Sequence, residues 1–110
     1  MNTTEVTAAP SLEEVLASFR ACAPLFAALG DTARQDIILL LAQNERMNVT
    51  QITESMHLSR PAISHHLKVL LQAGLLKVER ESRENFYSLE LDDALGLLKR
   101  LIAQAEVSCS

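Results

Sequence analysis

Leu58-Ser59-Arg60-Pro61-Ala62-Ile63-Ser64-His65-His66-Leu67-Lys68-Val69-Leu70-Leu71-Gln72-Ala73-Gly74 is the stretch on which the fold turns. Ser59 is placed to cap a helix, and Pro61 falls in its first turn, where a missing N–H does no harm. The helix reaches Ala73, and Gly74 ends it as C-terminal glycines do. At about 100° per residue, Ser59, Ile63, Leu67, Leu70 and Gly74 lie within about 40° of one line, which makes that side the core face. The opposite side gathers Pro61, His65, Lys68 and Gln72, with Ser64 at its margin and Arg60 near the helix entrance. It carries nothing large and apolar.

Upstream, Asn48 with Gln51 has capping-box spacing and opens a short helix to about His57, with Val49, Ile52 and Met56 inward. Leu58 and Ser59 make a tight connection to the helix above. Asp31 caps a helix over residues 32 to 43, in which Ile37, Ile38, Leu40 and Leu41 are core, and residues 44 to 47 form its exit loop. Ser11 with Glu14 repeats the capping box, and Leu12, Val15, Phe19 and Cys22 mark one face of a helix over residues 11 to 22. Pro24 ends or re-aims that helix, and a short helical turn with Leu25, Phe26 and Leu29 runs into Gly30. Residues 1 to 10 have no apolar period and read as a flexible tail.

Downstream of Gly74 the period changes. Leu76, Val78 and Arg80, then Phe86 to Leu91, read as two strands joined by the polar turn Ser82 to Asn85. A last helix from about Asp92 to Glu106 carries Ala94, Leu95, Leu97, Leu98, Leu101, Ile102 and Ala105, a stripe wider than one core contact requires. Two helices joined by a short turn and followed by a charged hairpin give the order of a winged helix-turn-helix. The expected fold is mainly α with a small β-hairpin, in the order α-α-α-α-α-β-β-α, and residues 11–110 form its single domain.

Composition limits the function. A chain of 110 residues, 48% apolar and 22% charged, fits one compact domain and leaves no room for a second. The longest apolar run, Ile37 to Ala42, is far short of the roughly 20 residues a membrane span needs. Cys22 and Cys109 are too few and too far apart for a disulfide scaffold or a zinc site of CxxC pairs, so a reducing cytoplasm is expected. There is no GxGxxG, P-loop or HExxH, and three scattered glycines cannot build a phosphate cradle, so an enzyme is not expected. No cofactor is implied.

The net charge of −4 argues against a polyanionic partner, but its distribution argues the other way. From Ser59 to Tyr87 the balance is +2, and over the remainder it is −6. Arg60, Ser64, His65, Lys68 and Gln72, with the Ser59 cap, suit phosphates and base edges in a major groove. Lys77, Arg80 and Arg83 on the hairpin suit flanking phosphates or a minor groove. The competing possibilities are a solvated helix face with an edge strand kept soluble by charge, and a winged-helix module acting through protein contacts alone. His66 sits about 60° from the core line, beside Ala62, Val69 and Leu70, and is expected to be a partly buried structural histidine.

The run from Leu58 to Leu70 with Ala73-Gly74-Leu75-Leu76, Leu29-Gly30-Asp31-Thr32-Ala33-Arg34, Ile37 with Leu40-Leu41, and Phe86-Tyr87-Ser88-Leu89 resembles the ArsR/SmtB family of bacterial transcriptional repressors. The resemblance implies a homodimer joined by its first and last helices, a recognition helix over about residues 60 to 73, and repression of a palindromic operator relieved by an effector. Two metal-sensing patterns of such proteins are missing. Val49 to Glu54 contain no Cys-x-Cys, and no His follows His66 to complete an Asp-x-His and His-x-x-Glu set. No metal is therefore expected. Cys22 at the end of the first helix and Cys109 just beyond the end of the last, both on elements the resemblance puts at the interface, are the effector candidates, for arsenite, an oxidant or reactive sulfur. The bland alternative makes Cys22 a small core hydrophobe and Cys109 a tail thiol.

Overall fold

A computed structural model describes residues 9–109, the side chain of Cys109 excepted, so the expected tail lies outside the described residues up to Ala8. Five helices and a three-stranded sheet form the expected winged helix-turn-helix. They are α1 (Leu12–Leu29), α2 (Thr32–Gln43), β1 (Met47–Asn48), α3 (Val49–Ser55), α4 (Arg60–Gln72), β2 (Leu76–Glu81), β3 (Glu84–Leu89) and α5 (Asp92–Cys109). Among the described residues no helix is long and apolar enough to cross a membrane.

Four of the five helices, α1 to α4, begin where a side chain takes a free N–H group. Ser11 and Glu14 exchange capping-box bonds of 2.9 and 3.1 Å at α1, and Asn48 and Gln51 do so at 2.9 and 2.8 Å at α3. Asp31 accepts the Arg34 amide at 3.1 Å, and Ser59 accepts the Ala62 amide at 3.3 Å. At the far end of α4, Gly74 has φ +79, Leu75 N–H donates to Leu70 O and Gly74 N–H to Leu71 O, both at 3.0 Å. This is the paired 6→1 and 5→2 bonding of a Schellman ending, and it turns the chain directly into β2.

Besides small shifts at the ends of α3, β3 and α5, three boundaries differ from the sequence expectation. The helical segments on either side of Pro24 are one helix, α1, with Pro24 inside it. Pro24 is exposed, while Cys22, Leu25 and Ala28 around it are buried, and that packing carries the helix through the missing hydrogen bond. Cys22 therefore lies within a helix rather than at its end. Residues 44 to 47 are not wholly loop, because Met47 and Asn48 pair antiparallel with Tyr87 and Phe86 and make β3 the central strand. The hairpin turn is also shorter than Ser82 to Asn85. Ser82 and Arg83 alone form it, at φ 52 and 70, since Glu81 already pairs with Glu84. Positive φ at both central residues is the twist-matched two-residue turn of a hairpin, here adopted without glycine.

The core lies between α1, α2, α3, α4 and the inner side of the sheet. Ile37, Ile52, Ile63, Leu67 and Leu70 are each 0% exposed, and Met47, Leu75, Leu76 and Tyr87 close the sheet side. Each fully buried Leu or Ile contributes about 2 kcal/mol from the area it withdraws from water. The α1 stripe behaves differently. Only its lower part, Cys22, Leu25 and Ala28, is buried, while Leu12 is 83% and Phe19 48% exposed. Because Leu67 is enclosed on every side, Leu67→Ala is expected to cost about 3 kcal/mol. A fall in the urea midpoint at unchanged slope would register it.

Candidate nucleic-acid interface

The burial of Ile63, Leu67 and Leu70 sets the rotation of α4 and leaves Arg60, Pro61, Ser64, His65, Lys68 and Gln72 exposed on the other side. Ser64, Lys68 and Gln72 make no hydrogen bond or ion pair among the described residues, so their polar ends are open to a ligand. Among the described residues His65 makes no hydrogen bond or ion pair, and its ring lies beside that of His66, with centroids 5.8 Å apart. The short α3 precedes α4, and Arg60 ties the two by donating from Nη1 to Thr50 Oγ1 at 3.0 Å.

The wing divides its charges between two faces. Cross-strand partners share a side, so Leu76 and Leu89, Val78 and Tyr87, and Arg80 and Asn85 form the inner face. Lys77, Glu79, Glu81, Phe86 and Ser88 form the outer one. Arg83 and Asn85, with Glu84, line a surface recess whose other wall is Asn48, Val49, Thr50 and Arg60. Arg60 and Arg83 are thereby brought to one recess, and Arg80 shares the strand face of its lining residue Asn85. Lys77 lies on the opposite side of the hairpin beside Glu45, Arg46 and Glu79.

Three residues that the sequence reading passed over hold this surface in place. Arg46 donates two bonds to the Glu81 carboxylate, at 3.1 and 2.6 Å, and its guanidinium lies 4.4 Å from the Phe86 ring centroid. That fork latches the wing to the segment before β1. Thr50 anchors Arg60 as described. Arg34 is 3.2 Å from His66 Nδ1 through its Nη1, which accounts for the half-buried state of His66. A count of charge between Ser59 and Tyr87 could not find Arg34 or Arg46, because both lie upstream of that stretch.

Cys22 is 0% exposed and unpaired, packed in the core as a small apolar group. Helix α5 extends to Cys109 itself, and the thiol of Cys109 lies outside the described residues. No cluster of three metal-ligating side chains occurs among the described residues.

Residues 31–78, from the cap of α2 into β2, match the family model for the bacterial regulatory protein, arsR family. An uncharacterised HTH-type transcriptional regulator of Methanocaldococcus jannaschii is 37% identical over 84 residues, which span 76% of this chain and 93% of the relative. The arsenical resistance operon repressor of Bacillus subtilis is 34% identical over 73 residues, 66% of this chain and 70% of its own. An ArsR-like transcriptional regulator from Rhodococcus sp. RHA1 has a TM-score of 0.69 at 27% identity, over 82% of this chain and 87% of that one. Fold and open helix face together define a winged helix-turn-helix DNA-binding transcriptional regulator, not an enzyme. The chain belongs to the arsR family.

The Arg46 fork holds the Glu81 carboxyl below its ordinary value of 4.5, first through the side-chain hydrogen bond and then through the charge itself. A lowered carboxylate value means the latch is in place above the ordinary value and is lost as pH falls through the lowered one. Carbon-detected NMR titration of the Glu81 carboxyl is expected to show a midpoint below 4.5, returning towards 4.5 in Arg46→Ala.

Proposed function

We propose that the chain is a cytoplasmic repressor that binds a palindromic operator as a homodimer and leaves it when an effector binds. The observation that carries this is the open face of α4, on which Ser64, His65, Lys68 and Gln72 stand exposed opposite a fully buried Ile63, Leu67 and Leu70. Such a face enters a major groove as a unit, with Ser59 and Arg60 at the helix entrance meeting phosphate. Arg80 and Arg83 reach the adjacent backbone or minor groove from the inner side and tip of the wing, and Lys77 contacts phosphate from its outer side. The sense of regulation follows the named activity of the Bacillus subtilis relative, a repressor.

The dimer rests on α1 and α5. They pack on each other, Ser18 donates a hydrogen bond to Gln104 across them, and their outer sides leave Leu12, Leu16, Phe19, Phe26, Leu95 and Ile102 exposed. Large apolar side chains aligned on two adjacent helices call for a partner surface, and a two-fold axis supplies one from a second copy. The radius of gyration, 17.6 Å against about 13 Å for a compact chain of this size, fits an elongated molecule. A two-fold pair would set two α4 helices about 34 Å apart, matching half-sites one DNA turn apart. Phe19→Asp is expected to turn a dimer into a monomer in sedimentation velocity and to abolish tight operator binding.

Selection of duplexes from a random pool, followed by titration across salt concentrations, tests the DNA reading. An inverted repeat is the expected product. Lys68→Ala should weaken all sequences alike and reduce the salt slope by about 0.9. Substituting Ser64 or His65 should instead alter base preference, by about 1 to 3 kcal/mol at the position read. Selection of no duplex, with no salt dependence, would leave a module working through protein contacts. The effector proposal for Cys22 and Cys109 has its own test: arsenite or oxidant should release the selected duplex, and unchanged affinity removes the thiols as sensors.

A further inference from the structure

Arg34 stands in the first turn of α2, and its guanidinium reaches two other elements, α1 and α4. Nε donates to the Ala28 carbonyl at 2.8 Å and Nη2 to the Ala27 carbonyl at 3.2 Å. Both carbonyls are in the last turn of α1, where backbone acceptors have no intrahelical partner. That turn has no basic residue of its own, so Arg34 also supplies the positive charge that suits a helix C-terminus. Its backbone N–H is the one that Asp31 caps, which fixes Arg34 in the first turn of α2. The third nitrogen, Nη1, lies 3.2 Å from His66 Nδ1 on α4. An arginine does not give up its proton, so Nη1 donates, Nδ1 accepts, and the ring proton is assigned to Nε2. The Arg34 side chain is 15% exposed, so water competes little for the part-buried Nε and Nη1 bonds, while the Nη2 bond to Ala27 lies at the surface.

We propose that Arg34 is a positioning residue that couples the α1/α5 arm to the recognition helix. The coupling rests on the DNA-binding and dimer reading above and specifies its internal route. A second copy packs on the arm, whereas Ser64, His65 and Lys68 meet the duplex, and α1 ends at Ala27 to Leu29 on one side of the guanidinium with α4 on the other. The planar fork holds fixed angles between its donors, so a shift or tilt of the α1 terminus carries His66, and α4 with it, in the same direction. Lysine, with one ammonium, cannot span both partners. His66 is thus held for its acceptor nitrogen, beside residues held for DNA.

The test uses the full-length chain and the duplex that wild type selects from a random pool. Dissociation constants are compared for wild type, Arg34→Ala, Arg34→Lys, His66→Leu, His66→Asn and the Arg34→Ala/His66→Leu double variant. His66→Leu fills the site without an acceptor and should weaken binding about tenfold, the equivalent of one charge-assisted hydrogen bond. His66→Asn places Oδ1 where Nδ1 was and should recover most of that loss. Arg34→Ala should cost much less in the His66→Leu background than alone, the signature of two residues acting through one contact. Dimerisation, read by sedimentation, should be unchanged in both His66 variants. In the free protein, the ¹⁵N signal of His66 should show an unprotonated Nδ1 bonded to a donor, and Arg34→Lys should lose that signature. Strictly additive losses, wild-type affinity in His66→Leu, or no recovery in His66→Asn would overturn the coupling. Should Arg34→Ala not fold, the Arg34→Lys and His66 variants decide it. Failure of wild type to select any duplex is seen before variants are compared and overturns the DNA reading itself, while the ring-nitrogen signal separately decides the Arg34–His66 contact.

Discussion

The apolar seam of Ile63, Leu67 and Leu70 against α2, α3 and the sheet is the constraint from which the rest of the molecule follows. A helix buried along one line has only one rotation available, and that rotation decides which residues meet solvent. Turning α4 by a single residue, about 100°, would drive Ser64 and Lys68 into the core and expose Leu67. The recognition surface is therefore specified by residues that never touch it. The end constraints act in the same sense: Ser59 fixes where α4 starts, and the Gly74 ending fixes where the chain leaves for the wing.

The wing shows a different use of charge. Its formal count of basic and acidic residues is balanced, yet position separates their roles. Glu81 is engaged by Arg46 and Glu84 accepts a bond from Asn48 at 3.0 Å, so two carboxylates brace the hairpin. Arg83 remains at the tip in a left-handed conformation, opposite Arg60 across the recess. A polyanion approaching that recess meets guanidinium groups first, with the acids partly discharged by their own partners.

Much of this was legible from periodicity and caps. The line through Ile63, Leu67 and Leu70, the four caps at Ser11, Asp31, Asn48 and Ser59, and the glycine at 74 are local signals, and local chemistry realised them. What escaped the sequence was tertiary. Pro24 breaks helices by propensity, but the packing of Cys22, Leu25 and Ala28 overrides it. The two-residue β1 is too short for any alternation to register, and it exists only because β3 offers an edge. The opposite facing of Lys77 and Arg80 needed the hairpin register, while Arg34 and His66, 32 positions apart, meet only in the folded chain.

The joint between α1 and α2 has a bearing on the order in which the molecule assembles. Arg34 captures Ala28 and Ala27 across separations of six and seven residues, and Gln35 takes the Leu29 carbonyl across six. By contrast, the Arg34 link to His66 closes 32 residues and the Arg46 latch closes 35. Short loops lose little chain entropy on closure, so the helical elbow is the natural early structure and the wing the late one. A nascent chain would thus carry a formed corner, its arginine already facing the place that the recognition helix has yet to occupy.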